Sequence, residues 1–157
     1  MIKAKSYIKD SNNFIDIKKF NSKLEDDFYI YGAIELFIND IEIISLDMFD
    51  LVDQLWAYII NGIVEIENGK FEFNTYFPDQ PLPMSFILDK KSNMITISTE
   101  PNLNDKKQAT INYKKFVLSM SNYAKDFFKE LKRIEPSKES FCKNYIDIIE
   151  NLEKKYS

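Results

Sequence analysis

The sequence predicts an α+β fold: an antiparallel β-sheet of hairpins, with one central helix and two C-terminal helices packed on one face. Apolar residues alternate with a period of two in several short runs, but they recur at helical spacing near residues 48–59 and in the last third. Turn signals separate the runs, and such a succession of strands and helices is typical of the α+β class. The chain length of 157 residues predicts a single domain, 1–157.

The first third of the chain predicts strands. Residues 5–20 alternate loosely and indicate one or two short strands. Residues 28–38 are rich in β-branched and aromatic side chains and lead through Asn39-Asp40 into Ile41–Ile44. This order is typical of a β-hairpin with a two-residue turn.

A helix is predicted next, because the apolar period changes to 3.6 from Met48 onward. We expect it to run from about Asp47 to Asn61. Ser45 or Asp47 can cap its start, and Gly62 follows its end as a C′ glycine does.

Residues 63–76 contain Asn68-Gly69, the strongest short hairpin signal in the chain. A two-residue turn there would place Glu65 directly opposite Glu72, with Glu67 beside the turn. Facing like charges destabilise a sheet, so the pair is a candidate docking surface for Lys or Arg of a partner. The alternative is that solvent and a nearby lysine screen the two charges.

Three of the five prolines follow within six positions, at Pro78, Pro81 and Pro83. Proline lacks the N–H that a sheet ladder needs, which predicts a rigid, extended crossover with Asp79-Gln80 as its exposed tip. This loop is either a stiff connection or part of a binding surface, since rigid loops lose little entropy on binding.

The remaining elements are a hairpin and two helices. Met84–Leu88 and Met94–Ser98 predict the hairpin, and residues 108–112 can add a short strand. The C-terminal third predicts one amphipathic helix that ends near Pro136 and a second helix from about Lys138 to Lys154.

Composition excludes several classes of site. There is no histidine, which removes His-dependent triads and His-ligated zinc, and the three glycines form no phosphate-binding cluster. We therefore expect no catalytic residue, metal or cofactor. One cysteine indicates a reducing compartment, and the absence of a signal-like segment or long apolar run predicts a cytoplasmic protein without membrane association.

Charge is distributed unevenly along the chain. Residues 24–100 hold 15 acidic residues against three lysines, a net charge of −12, whereas the regions before and after them each carry +4. Such a field favours a basic partner and repels nucleic acid. A lysine-rich helix face around Lys125 and Arg133 leaves weak nucleic-acid contact as a minor alternative.

A second candidate patch is Asp50 and Asp53, which with Asp47 fall three residues apart in the predicted helix. These carboxylates either bind a partner or complement the positive end of the helix dipole. The predicted partner-binding residues are thus Glu65, Glu67, Glu72, Asp79, Asp50 and Asp53. A carboxylate-dependent hydrolase is a further alternative, although nothing in the sequence selects a catalytic pair.

The order of four segments resembles the immunity proteins of bacterial polymorphic-toxin and contact-dependent inhibition systems. The segments are Tyr31–Leu36, Leu51–Trp56, Phe77–Leu82 and the amphipathic helix Phe116–Leu131. The resemblance covers most of the chain and transfers no functional residue. It implies an intracellular protein that blocks a cognate toxin domain, often a basic nuclease. The alternative is a non-catalytic scaffold that self-associates through an edge strand.

Overall fold

The computed structural model describes all residues, 1–157, and has the predicted α+β architecture. Nine strands are present: β1 Ile2–Asp10, β2 Asn13–Asp16, β3 Tyr31–Ile38, β4 Ile41–Ile44, β5 Asp50–Leu51, β6 Glu72–Phe77, β7 Gln80–Asp89, β8 Met94–Asn102 and β9 Asp105–Asn112. Three α-helices accompany them: α1 Val52–Glu67, α2 Tyr113–Ile134 and α3 Glu139–Tyr156.

The strands form two antiparallel sheets, a division that the hairpin pattern did not reveal. The first sheet has the order β2-β1-β3-β4, with β5 paired to β3, and the second has the order β6-β7-β8-β9. The sheets meet where the buried Thr99 hydroxyl of β8 donates a hydrogen bond to the carbonyl of Ile43 in β4, at 2.6 Å. This bond satisfies both groups in the interior, where an unpaired polar group would be costly.

Helix α1 occupies the centre of the molecule. It contacts β1 and β3 of the first sheet, β6 of the second, and both C-terminal helices. Trp56 is fully buried and donates its indole N–H to the Ser6 hydroxyl of β1 at 2.8 Å. One cluster of 38 buried residues runs through both sheets and all three helices, so the core is continuous.

Most predicted hairpins and helices are confirmed. Asn39 and Asp40 have φ angles of 50° and 67°, which is the left-handed geometry of a two-residue hairpin turn. The β7–β8 hairpin and strand β9 also form as predicted. Helix α2 begins where the Asn112 side chain accepts the Lys115 N–H at 3.1 Å, and it ends before Pro136.

The predicted hairpin over residues 63–76 is wrong. Residues up to Glu67 continue α1, and Asn68-Gly69 ends this helix instead of turning a hairpin. The Lys70 N–H bonds to the Glu65 carbonyl and the Gly69 N–H to the Ile66 carbonyl, which together form a Schellman cap. Gly69 has the positive φ of 108° that this cap requires.

The predicted start and end of the first helix are also corrected. The helix begins at Val52 because Asp50 and Leu51 pair with β3 as strand β5. Gly62 lies inside the helix, not after its end. A Cβ at this position would lie 2.5 Å from the Phe73 ring of β6, so the missing side chain allows the strand to pack directly against the helix.

The proline-rich segment is a hairpin turn and not a crossover. Pro78 and Asp79 connect β6 to β7, and Pro81 lies in an irregularity where Phe77 pairs with Gln80 but Tyr76 pairs with Pro83. Pairing of β7 with β8 begins only at Met84. The prolines are tolerated because this end of β7 has no second neighbouring strand that would need their N–H groups.

Helices α2 and α3 pack together as a pair at the C-terminal end of the chain. Their contact is aromatic: the Phe128 and Tyr145 rings stack with centroids 5.2 Å apart. None of the three helices combines the length and the apolar character that a membrane crossing demands.

Candidate partner-binding site

The predicted facing pair Glu65 and Glu72 does not exist in the structure. Glu65 lies in α1 and pairs with Lys70 at 2.7 Å, whereas Glu72 begins β6 and accepts a hydrogen bond from the Asn74 amide at 2.7 Å. The repulsion that made them candidates is therefore absent. Both carboxylates remain at least partly exposed, so they can contribute charge to the surface.

Glu67 is a structural carboxylate. Its side chain is only 8% exposed, and its Oε2 accepts hydrogen bonds from the hydroxyls of Tyr113 and Tyr156. The ammonium of Lys155 lies 2.6 Å from its Oε1. Glu67 thus joins the end of α1 to the start of α2 and the end of α3.

Ionisation of Glu67 follows from these contacts. Burial opposes the charged form, but Lys155 and the two tyrosine hydroxyls outweigh it and hold the pKa of Glu67 below its usual value. Burial, together with hydrogen bonding to Glu67, raises the pKa of Tyr113 and raises that of Tyr156 to about 12. The network keeps one buried negative charge with one adjacent cation, so it presents no acidic surface to a partner.

Asp53 is also inaccessible. It is 1% exposed in the first turn of α1, and burial raises the pKa of its carboxyl group. The Asp53 charge adds to the effect of burial on the Cys142 thiol of α3, whose pKa is raised to about 11. Cys142 is fully buried, in agreement with the expectation of a small apolar core residue.

Asp50 organises a contact between the two sheets. It is 2% exposed, and its Oδ1 accepts the backbone N–H groups of Leu51 at 2.7 Å and Asp79 at 3.0 Å. Its Oδ2 accepts the Gln80 side-chain amide at 2.9 Å. Asp50 was predicted to bind a partner, but it is buried and instead fixes the positions of Asp79 and Gln80.

Asp79 is exposed and lines a different cavity from Glu67, which borders a smaller one of about 260 Å³ beside α3. Tyr31 of β3 donates its hydroxyl to Asp79 Oδ2 at 2.7 Å, which ties the turn of the second sheet to the first sheet. The two residues line an open cleft of about 470 Å³. This volume is within the range of small-ligand and side-chain binding sites, roughly 300–1,000 Å³.

The cleft is acidic and aromatic. Its carboxylates are Asp10, Glu25, Asp26 and Asp79, against the single ammonium of Lys9. Tyr29 and Tyr31 line it with exposed rings, 53% and 39% accessible, and Ile8, Leu24 and Ile30 form its apolar part.

Three of the four cleft carboxylates, those of Glu25, Asp26 and Asp79, are held by backbone N–H groups or a hydroxyl. Asp26 Oδ1 accepts the N–H groups of Phe28 and Tyr29, at 2.7 and 3.1 Å, and these bonds hold the pKa of Asp26 below its usual value. Glu25 Oε1 accepts the Ser11 N–H at 3.1 Å. The acids are thus positioned without any internal ion pair, whereas Glu65 and Glu67 each have one.

Sequence reasoning missed part of this cleft. Glu25 and Asp26 belong to an acidic run that, from sequence alone, is most often a solvated turn. The missed signal is the pattern after it: Asp26 precedes the exposed aromatic pair Phe28 and Tyr29, which an Asx-type turn can present.

Two of the basic side chains on the lysine-rich face of α2 are engaged in contacts within the chain. Arg133 donates to the carbonyls of Ile17 and Phe20, both at 3.1 Å, and Lys125 pairs with Glu153 at 2.6 Å. These contacts give both side chains a structural role in holding α2 against its neighbours.

Comparison with protein-family models, with curated proteins and with solved structures finds no match for the chain. No group of three or more acidic or cysteine side chains is arranged to hold a metal ion. The acidic aromatic cleft is the arrangement with the clearest chemical character, since it combines ordered negative charge with exposed rings.

Proposed function

We propose that the chain is an intracellular inhibitor, of the immunity-protein type, that binds a basic partner protein and blocks it sterically. The observation that carries this proposal is the acidic aromatic cleft beside Tyr31 and Asp79. Complementary charge speeds association and selects against acidic competitors. A toxin domain that acts on nucleic acid is a suitable partner, because its own binding surface is basic.

Exposed aromatic residues around the cleft support a protein–protein contact. Phe28 is 73% exposed, and its ring packs edge-on against the ring of Tyr29, which lines the cleft. Aromatic side chains are enriched at the energetically dominant positions of interfaces. The proposed contact therefore has an apolar component as well as charge.

The proposed interface differs from the sequence prediction in its residues. Asp79 remains, Glu25 and Asp26 join it, and Asp50 supports it from beneath. Glu65 and Glu72 lie outside the cleft, Glu67 joins the three helices, and Asp53 is buried and cannot contact a partner.

The proposal is tested by charge reversal. A tagged chain is first used to capture partners at low and at moderate salt. The captured basic protein is then expressed in cells, with and without the chain, and its toxicity is measured. We expect the wild-type chain to suppress toxicity and the Glu25→Lys/Asp79→Lys double variant to fail. The matched control, Asp147→Lys on α3, should protect like the wild type.

Two results would contradict the proposal. If the captured partner keeps its full activity in the presence of the chain, the chain is not an inhibitor. If no basic protein binds in a salt-dependent manner, the acidic surface does not serve protein recognition.

Self-association is the second candidate, and the free edge of the second sheet favours it. Strand β6 has only β7 as a neighbour, and Phe71, Tyr76 and Ile87 near this edge are exposed. An unpaired strand edge can pair with a second copy. Sedimentation measurements should then give a mass that rises with concentration, and a Tyr76→Lys substitution should abolish the rise.

A further inference from the structure

The acidic aromatic cleft gathers four carboxylates that form no ion pair within the chain into one cavity with two tyrosine rings. None of Asp10, Glu25, Asp26 and Asp79 takes part in any of the seven ion pairs. Lys9, the single ammonium in the lining, donates to the Ser11 carbonyl at 2.7 Å and lies over the Phe49 ring at 5.2 Å. The cleft thus retains a net charge of −3 that an external cation can neutralise.

The aromatic and apolar residues of the lining indicate which kind of cation the cleft can bind. The exposed rings of Tyr29 and Tyr31 offer π-faces, which attract a guanidinium or an ammonium. The apolar residues Ile8 and Ile30 can contact an aliphatic stem. A hydrated metal ion would use neither of these surfaces.

We propose that the cleft receives an arginine side chain of the partner protein as the central anchor of the interface. The planar guanidinium stacks on aromatic rings and binds carboxylates through two N–H groups at once, so it suits a site where rings and carboxylates converge. The cleft volume of about 470 Å³ also leaves room for the residues that flank the arginine. This inference rests on the proposed function, because it names the part of the basic partner that the cleft binds.

The site is pre-organised for this ligand. Asp79 is held by its N–H bond to Asp50 and by the Tyr31 hydroxyl, and Asp26 by two backbone amides. Binding therefore orders few side chains on this protein, which preserves affinity.

The test uses two short peptides with the full-length chain. The first is acetyl-Gly-Arg-Gly-amide, and the second carries citrulline in place of arginine, which keeps the shape and removes the charge. Amide chemical shifts of the ¹⁵N-labelled protein are followed as each peptide is added. We expect the arginine peptide alone to shift amides of residues 8–10, 24–31 and 79.

Variants then assign the effect to the carboxylates. Glu25→Gln and Asp79→Asn keep the hydrogen-bond acceptors for Ser11 and Tyr31 but remove the charges, so the fold should be retained. Each should weaken binding of the arginine peptide by about two- to fivefold, the range expected for a partly exposed charge pair. Asp147→Asn on α3 is the matched control and should bind like the wild type.

The inference is overturned if the citrulline peptide produces the same shifts, or if Glu25→Gln and Asp79→Asn leave the affinity for the arginine peptide unchanged. A separate measurement distinguishes this failure from failure of the proposed function. If the toxic partner is still inhibited with undiminished affinity by both variants, the chain is an inhibitor that does not use the cleft as an arginine anchor.

Discussion

Replacement of Asp50 by alanine should loosen the turn that carries Asp79 and destabilise the fold. The carboxylate accepts three hydrogen bonds, and such bonds to a charged group each contribute roughly 1.5–3 kcal/mol. Two of the donors have other partners after the change: the Gln80 amide still donates to the Phe49 carbonyl, and the N–H of exposed Asp79 can bind water. The loss should therefore be about 2–4 kcal/mol, which is less than the sum of the three bonds.

Urea denaturation measures this loss. With a slope of about 2 kcal/mol per molar urea, the middle of the range for small proteins, the midpoint should fall by about 1–2 M. Asp50→Asn keeps one acceptor oxygen and should lie between the wild type and the alanine variant. Asp47→Ala, at an exposed neighbouring carboxylate, is the matched control and should change stability by less than about 0.5 kcal/mol. The reasoning is refuted if Asp50→Ala is as stable as this control.

Three further predictions follow from buried groups. Gly62→Ala should lower the stability of the protein in thermal unfolding by about 1–2 kcal/mol, because the added Cβ would lie 2.5 Å from the Phe73 ring. Alanine is the better helix former, so a more stable variant would contradict the packing argument. Because the pKa of Glu67 is lowered in the folded state, its stabilisation is full above the pKa of the unfolded chain and is lost as pH falls through the folded pKa. Acidification from pH 5 to pH 3 should therefore cost the wild type more stability than Glu67→Gln, and equal losses would count against the network. Burial and the raised pKa of Cys142 should make its thiol unreactive toward a thiol reagent until the protein unfolds, whereas rapid labelling of the native protein would disprove its burial.

Local turn sequences predicted the fold correctly where the flanking residues were compatible with only one type of secondary structure. Asn39-Asp40 formed the expected hairpin because alternating apolar residues flank it on both sides. Asn68-Gly69 was ambiguous, since the same pair suits a hairpin turn and a helix C-cap, and the apolar residues before it fit both periods. The sequence could not reveal that Phe73 packs against Gly62, a tertiary contact that explains the glycine inside the helix.

The candidate site could be predicted from the sequence less well than the fold. Exposure of a carboxylate depends on tertiary packing, so nothing in the spacing of Asp50 and Asp53 indicated that both are buried. The exposure of Asp79 was predicted correctly, although the segment around it is a hairpin turn and not the predicted crossover. Its neighbours Asp10 and Glu25 come from distant parts of the chain, and no local pattern could bring them together.

The assembly of the cleft from three distant segments makes it a property of the native state alone. The unfolded chain keeps every acidic residue and the same net charge, but it does not hold Asp10, Glu25 and Asp79 around two tyrosine rings. A partner that binds in the cleft would therefore bind the folded chain and not the unfolded chain. At a free partner concentration of 100 times the dissociation constant, binding would stabilise the native state by about 2.7 kcal/mol. The complex would accordingly resist proteolysis better than the free chain, so the cellular lifetime of this protein would report whether its partner is present.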